Sequence, residues 1–159
     1  INGLDQSNED FQNLPNTTRV ISDYHTEVGP MMGLYSGLKQ TSYDYVLVLP
    51  CDAPFINIEL LRYLISIADG NDAVIPRWDN GFLEPLISVY RTGPSLEAIE
   101  EALQNDEKSV LDLIKRLNRI RYVPVDDLRD FDPDLTTFKN INYIEDYEKA
   151  LELVKKRDP

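Results

Sequence analysis

The chain has 159 residues, a length that suits one domain of ordinary size. Its 28 acidic and 16 basic side chains give a formal net charge of -12, which argues against broad nucleic-acid binding and against docking to an anionic membrane. A nucleotide ligand is compatible with this charge, because a metal ion and backbone amides can hold phosphate locally. The single cysteine, Cys51, excludes an internal disulfide and favours a reducing compartment, so we expect a cytoplasmic protein. No apolar stretch approaches the ~20 residues of a membrane span.

The first part of the chain predicts a short strand followed by a helix. The strand, Arg19 to Asp23, ends in a carboxylate. Gly29 and Pro30 then open a helix that runs to about Lys39, since proline suits the first helical turn. Glycine recurs every fourth residue along it, which predicts that a backbone or a ligand approaches one side of the helix closely. These glycines are Gly29, Gly33 and Gly37.

The stretch from Tyr45 to Leu49 predicts a strand buried on both faces. It is an unbroken apolar run that ends at Pro50, as expected of a central strand in a parallel sheet. Asp52 follows two residues later. Ligands of open parallel sheets bind outside the carboxyl ends of the strands, so Asp52 lies where a functional carboxylate would lie. A turn-forming or helix-capping role fits Asp52 equally well.

Helical and extended patterns alternate through the rest of the chain. Asn57 is a predicted helix cap. Five carboxylates between Asp126 and Asp134 predict a solvated loop, because the ligand spacing of a calcium-binding loop is absent. This alternation predicts an α/β fold, a three-layer α/β/α domain with a mainly parallel sheet. The remaining predicted helices are 58–68, 95–104, 109–117 and 144–156, and the remaining strands are 73–76, 86–91 and 120–125.

Polar side chains follow several of these strands. The candidates for a shared site are Asp23, Asp52 and the pair Asn140 and Asn142, which face the same way in an extended segment. A carboxylate with an amide oxygen suits Mg²⁺, and a magnesium site would fit phosphoryl or nucleotidyl transfer. Loop geometry and helix capping would account equally well for the two asparagines.

Two other kinds of site are poorly supported. His25 is the only histidine, so nucleophilic catalysis by a Cys-His pair would need Cys51 and His25 to meet. Cys51 adjoins a buried strand and is better interpreted as a small core residue. One cysteine and one histidine also exclude a zinc site in practice.

Four motifs occur in a fixed order along the chain: Gly-Pro-Met-Met-Gly at 29–33, Val-Leu-Pro-Cys-Asp-Ala-Pro-Phe at 48–55, Glu-Pro-Leu-Ile-Ser-Val-Tyr-Arg at 84–91 and Phe-Lys-Asn-Ile-Asn at 138–142. This ordered set resembles the molybdenum cofactor guanylyltransferase family, molybdopterin-guanine dinucleotide biosynthesis protein A. The resemblance implies a nucleotide-diphospho-sugar transferase-like fold. It also implies transfer of GMP from magnesium-GTP to molybdopterin with release of pyrophosphate, and contact with other proteins of molybdenum cofactor biosynthesis.

The resemblance assigns the nucleotide side of the site. Gly29, Pro30 and Gly33 match the family's Gly-Pro-x-x-Gly segment, which lines the nucleotide site. Asp23 matches an aspartate that lies a few residues before that segment and helps to bind guanosine. We therefore expect these four residues to bind GTP.

The resemblance also assigns the metal and acceptor side. Asp52 matches the metal-binding aspartate of the family's Cys-Asp-x-Pro motif and is the expected catalytic residue. Asn140 and Asn142 match an Asn-x-Asn motif near the pterin and the metal. We therefore expect Asp52 and Asn142 to bind Mg²⁺, and Asn140 and Asn142 to bind molybdopterin.

The sequence departs from the family pattern at its start. The family begins with a strand and a glycine-rich loop that cradles the triphosphate, and nothing like it occurs here. We expect a single nucleotidyltransferase-like domain over residues 1–159 that lacks its N-terminal βα unit and would need the upstream glycine-rich loop for activity. Tyr143 and Ile144 also replace the family's usual Thr-Pro. A related cytidylyltransferase, a sugar-phosphate nucleotidyltransferase and a non-catalytic binding domain of the same fold are the alternatives.

Overall fold

The computed structural model describes Ile21, Asp23 and residues 29–141. The predicted helix at 144–156 lies outside the described residues, as does most of the predicted strand at 19–23. The described helices are α1 (Pro30–Gln40), α2 (Ile58–Ser66), α3 (Thr92–Gln104) and α4 (Val110–Arg116), and the strands are β1 (Tyr45–Val48), β2 (Ala73–Arg77), β3 (Ser88–Arg91) and β4 (Ile120–Pro124). Two 3-10 helices follow β4, at Val125–Asp130 and Thr136–Phe138. None of the helices in this part of the chain combines the length and the apolar character that a membrane crossing needs.

The four described strands form one sheet in the order β1-β3-β2-β4. β2 and β4 are parallel, with Ala73 opposite Ile120 and Arg77 opposite Pro124, so their carboxyl ends meet at one edge. β1 is the outermost strand of the described sheet, and its four residues are half-buried. The predicted strand at 19–23 lies largely outside the described residues, so the central position predicted for Tyr45 to Leu49 stays a prediction, whereas the predicted burial on both faces is only partial. An apolar run reports burial, whereas the neighbours of a strand depend on crossover connections that the run does not encode.

The described chain falls into two compact units. The first comprises residues 29–46 and 90–119, and in it α1 packs against α3 and α4. Tyr35 and Lys39 of α1 both donate hydrogen bonds to Oε1 of Glu100 on α3, at 3.1 and 2.6 Å. Each large apolar side chain buried here contributes about 1.5–3 kcal/mol. These side chains include Met31, Met32, Leu34, Leu38, Ile99, Leu113 and Ile114.

The second unit comprises residues 47–89 and 120–141, and it contains β2, β4, α2 and both 3-10 helices. Tyr63 of α2 stacks on Phe131 with ring centroids 4.8 Å apart, which ties the helix to the chain that follows the first 3-10 helix. The apolar face of α2 and the strands β2 and β4 supply the core. Its buried side chains include Leu60, Leu61, Leu64, Val74, Ile75, Val123, Val125 and Leu128.

The start of α1 explains Gly29. Its φ of 63° lies in the left-handed region that favours glycine, and Pro30 occupies the first helical turn as predicted. A Cβ on Gly29 would meet no atom of the described residues within 4 Å. The backbone conformation, and not close approach by another described segment, is therefore what requires glycine at this position.

Asn57 caps α2 as predicted, and removing the cap should destabilise the second unit. Its Oδ1 accepts hydrogen bonds from the backbone N–H groups of Glu59 and Leu60, at 2.9 and 3.1 Å, and its Nδ2 donates to the carbonyl of Phe131 at 2.9 Å. We expect Asn57→Ala to lower the free energy of unfolding by about 1–2 kcal/mol in urea denaturation. Asn57→Ser keeps a capping oxygen and should cost less. Equal stability of the alanine variant and the parent protein would contradict the capping role.

Candidate active site

Asp52 lies in the turn that follows β1. It is half-buried between the exposed Cys51 and the buried Ala53. The exposure of Cys51 shows that the interpretation of this cysteine as a core residue was wrong. The backbone carbonyl of Asp52 accepts a hydrogen bond from the N–H of Ile141 at 2.8 Å, which fixes the turn. Within the described residues nothing donates a hydrogen bond to the Asp52 carboxylate. The backbone of Asp52 is therefore held in place, while its carboxylate oxygens accept no hydrogen bond from this part of the chain.

The segment that carries Asn140 is tied to the residues just after Asp52. The N–H of Asn57 donates to Oγ1 of Thr137 at 3.0 Å, and the N–H of Ile141 donates to Asp52. Asn140, a predicted substrate ligand, directly precedes Ile141 in the chain. The hydrogen bond of Ile141 to Asp52 therefore holds Asn140 close to the predicted metal ligand. Asn140 itself is exposed. Asn142 lies outside the described residues.

A buried carboxylate shapes this segment. Asp132 is only 4% exposed, and its Oδ2 accepts hydrogen bonds from the N–H and Oγ1 of Thr137, at 2.7 and 2.8 Å. Oγ1 of Thr136 donates to the same carboxylate at 3.2 Å. Burial alone would raise the pKa of Asp132, but these hydrogen bonds outweigh it and lower the pKa below its ordinary value of 3.8. Asp132 therefore holds the turn that leads to Asn140, and the prediction that it lies in a solvated loop was wrong.

The predicted nucleotide residues belong to the other unit. Gly29 and Pro30 are exposed at the start of α1, and Gly33 is half-buried in its first turn. No described side chain caps this helix and no acidic residue lies in its first turn, so its N-terminus keeps the partial positive charge that attracts phosphate. Asp23 is half-buried, and its buried Oδ1 accepts no hydrogen bond within the described part of the chain. An unsatisfied buried acceptor of this kind suits a ligand that donates N–H groups.

The residues around Asp52 suit a magnesium site with a single protein carboxylate, and not a metal site built entirely from protein side chains. The described residues contain no cluster of three or more histidine, cysteine, aspartate or glutamate side chains that could hold a metal ion. Mg²⁺ is commonly bound by one or two carboxylates, with waters and substrate phosphates as its other ligands. The Asp52 carboxylate accepts no hydrogen bond from the described residues, so it can serve as the protein ligand. The phosphate oxygens of a nucleotide would then be the other ligands of Mg²⁺.

A second group of residues, at the carboxyl ends of β2 and β4, was not among the predicted site residues. Arg77, Trp78 and Pro124 line a cavity there, and Nε1 of Trp78 donates to Oε1 of Glu84 at 2.7 Å. Glu84 belongs to one of the four motifs but received no role from its spacing. The available signal was the position of Arg77 and Trp78 at the end of a buried strand, where the same rule that selected Asp52 applies.

Comparison with known proteins identifies the family. The sequence profile of the MobA-like NTP transferase domain matches residues 4–120. The chain belongs to this family. A probable molybdenum cofactor guanylyltransferase of Methanosarcina mazei is 37% identical over 133 residues, which cover 84% of this chain and 59% of the relative. The MobA-like chain spans about three-fifths of the length of the curated relatives it matches. The resemblance noted from the four motifs is confirmed.

Solved structures agree on the fold. The molybdopterin-guanine dinucleotide biosynthesis protein A of Archaeoglobus fulgidus is 33% identical and superposes with a TM-score of 0.73, covering 86% of this MobA-like chain and 68% of that protein. A cytidylyltransferase for 2-C-methyl-D-erythritol 4-phosphate from Thermus thermophilus is 17% identical, with a TM-score of 0.60 over 79% of this chain and 69% of that protein. At that identity the second likeness concerns the fold alone. The predicted α/β nucleotidyltransferase-like fold is confirmed.

Proposed function

We propose that this protein transfers GMP from GTP to molybdopterin and releases pyrophosphate. Its family and its relatives named as molybdenum cofactor guanylyltransferases support the proposal. The observation that carries it is the state of Asp52, whose backbone is fixed by Ile141 while its carboxylate accepts no hydrogen bond from the described residues. Such a carboxylate, just beyond the carboxyl end of a strand, suits a bound cation and a phosphate ligand.

In the proposed reaction a phosphate oxygen of molybdopterin attacks the α-phosphorus of GTP. A new P–O bond forms and the bond to the leaving pyrophosphate breaks, so the protein need not supply a nucleophile. Asp52 and Asn142 would hold Mg²⁺, and Asn140 and Asn142 would orient the acceptor. A bound Mg²⁺ would supply the positive charge that offsets the negative charge on the phosphorus and on the leaving group.

The nucleotide is held by the residues before and at the start of α1. Asp23 accepts hydrogen bonds from the guanine N–H groups through the oxygen that nothing described satisfies. Gly29, Pro30 and Gly33 line the phosphate-bearing part of GTP at the N-terminus of α1, where partial positive charge favours it. A nucleoside triphosphate donor favours a cytoplasmic reaction. A pterin acceptor favours contact with other proteins of molybdenum cofactor biosynthesis.

A nucleotide comparison tests the proposed function. Pyrophosphate release by the full-length protein is measured with GTP, CTP and ATP, each with and without molybdopterin and with Mg²⁺ present. We expect release only with GTP and only when molybdopterin is added, because Asp23 is matched to the donor groups of guanine. Preference for CTP would move the protein to the related cytidylyltransferases. A folded protein that binds GTP and never releases pyrophosphate would instead be a non-catalytic binding domain.

A further inference from the structure

A cavity of about 400 Å³ opens at the carboxyl ends of β2 and β4. Its lining consists of Arg77, Trp78, Asp79, Gly81 and Pro124. Because Arg77 and Pro124 are opposite each other in the parallel β2–β4 pair, the cavity lies at the edge where open sheets bind ligands. Its volume is within the range of roughly 300–1,000 Å³ that is typical of small-molecule sites.

The indole of Trp78 is a fixed aromatic wall of this cavity. Its Nε1 donates to Glu84, and the N–H of Glu84 donates to the carbonyl of Pro76 at 3.0 Å, which ties both residues to β2. The ring of Phe138 packs edge-on against the indole, with centroids 5.8 Å apart and an interplanar angle of 70°. Burial raises the pKa of Glu84, and the hydrogen bond from Trp78 opposes that shift. Glu84 is thus a positioning residue for Trp78.

The polar lining of the cavity carries both signs of charge. The guanidinium of Arg77 lies 4.9 Å from the centroid of the Tyr122 ring, a cation–π contact that fixes the cation without neutralising it. Asp79 is exposed in a tight turn closed by a hydrogen bond of 2.8 Å from the N–H of Gly81 to the carbonyl of Trp78. The Asp79 carboxylate accepts no hydrogen bond from the described residues.

The cavity is connected to the Asp52 segment through a short chain of contacts. Phe138, which packs on Trp78, is two residues before Asn140. Ile141, the next residue, donates its N–H to Asp52. A ligand that occupies the cavity would therefore adjoin the segment to which the proposed function assigns the acceptor.

We propose that this cavity binds the flat pterin of the acceptor, with Trp78 stacking on the ring and Asp79 pairing with its 2-amino-4-oxopyrimidine edge. That edge presents two adjacent N–H donors, and a carboxylate accepts both. The fixed cation of Arg77 attracts the phosphate that the acceptor carries. The inference rests on the proposed function, which names a pterin acceptor. Guanine has the same edge, so the donor base is the competing occupant that the test must separate.

Trp78 is the single tryptophan of the 159 residues, so its emission reports on the cavity directly. The protein is titrated with 6-hydroxymethylpterin and, separately, with guanosine monophosphate, and N-acetyltryptophanamide corrects for absorption by the ligands. We expect saturable quenching by the pterin and none by the nucleotide. Asp79→Asn should raise the Kd for the pterin about 10-fold or more, the scale of a hydrogen bond to a charged group. Asp69→Asn, an exposed carboxylate outside the cavity, should leave the Kd unchanged.

Three results would overturn the assignment. The first is quenching by the pterin that does not saturate once absorption by the ligand has been corrected for. The second is a Kd for the pterin that Asp79→Asn leaves unchanged. The third is quenching by guanosine monophosphate that Asp79→Asn abolishes. The third result would mean that the cavity binds the guanine of GTP and not the pterin. Because the titration needs no turnover, pterin binding without GMP transfer would count against the proposed function alone. GMP transfer without a pterin signal at Trp78 would count against the cavity alone.

Discussion

Asp52→Asn is expected to lower the rate of GMP transfer by the full-length enzyme by at least ~100-fold, the scale of losing one electrostatic contact to a transition state. Asparagine keeps the shape of the side chain and one acceptor oxygen but lacks the charge that would hold Mg²⁺. Pyrophosphate release at saturating GTP and molybdopterin measures the change in kcat. A magnesium titration of the same samples should show that the variant needs a higher concentration.

The Asp52→Asn protein should remain as stable as the parent, because the hydrogen bond from Ile141 uses the backbone carbonyl of Asp52. Asp44→Asn is the matched control, since Asp44 is an exposed carboxylate at the opposite end of β1. It should change neither the rate nor the melting temperature. A stable and fully active Asp52→Asn protein would contradict the metal role. A stability loss of about 1 kcal/mol, with activity per folded molecule intact, would indicate a turn or cap role instead.

The elements that the sequence predicted well are those with local signals at their ends. Pro30 begins α1 and Asn57 caps α2, as expected from residue type alone. α4 was predicted from Ser109, and its first turn has a capping box in which Ser109 and Asp112 satisfy each other's backbone N–H groups. Such signals act within four residues, so a single sequence contains all the information they need.

Local sequence patterns could not predict which strands pair with each other in the sheet. The apolar run of β1 predicted a strand, but nothing in that run indicated that β3, about forty residues further on, would be its neighbour and separate it from β2. The cavity at Trp78 also could not be predicted from local sequence patterns. Trp78 and Glu84 are six residues apart, but Phe138 reaches the indole only because the chain returns after β4. The position of Asp52 after β1 could be predicted because it depends only on the strand that precedes it, and its metal-binding role stays a prediction.

Asp132 shows how composition can mislead about a single residue. Five carboxylates in nine residues predict a solvated loop, and four of them are exposed. The fifth is buried because Thr136 and Thr137 follow at a spacing that lets their hydroxyls and the N–H of Thr137 turn back onto the carboxylate. An aspartate four and five residues before two threonines was the available signal, and it was outweighed by the overall acidity of the stretch.

Asp132→Asn should lower the free energy of unfolding by about 3 kcal/mol at pH 7, the upper scale of a hydrogen bond to a charged group. Asparagine offers one acceptor oxygen where the carboxylate offers two, and its NH₂ group faces donors that need an acceptor. The turn before Asn140 depends on these bonds. Urea denaturation measures the loss, with Asp134→Asn as the control, since Asp134 is exposed two residues further on.

The pH dependence separates the charge of Asp132 from its shape. The folded state lowers the pKa of Asp132 below 3.8, so the stabilisation is fully present above that value and is lost as the pH falls through the lower pKa of the folded state. The gap in unfolding free energy between the parent protein and Asp132→Asn should therefore be constant near neutral pH and shrink below pH 3.8. Other carboxylates titrate in both proteins and cancel in this difference. A gap that stays constant in acid would mean that the substitution acts through packing, and the anionic anchor assigned to Asp132 would be wrong.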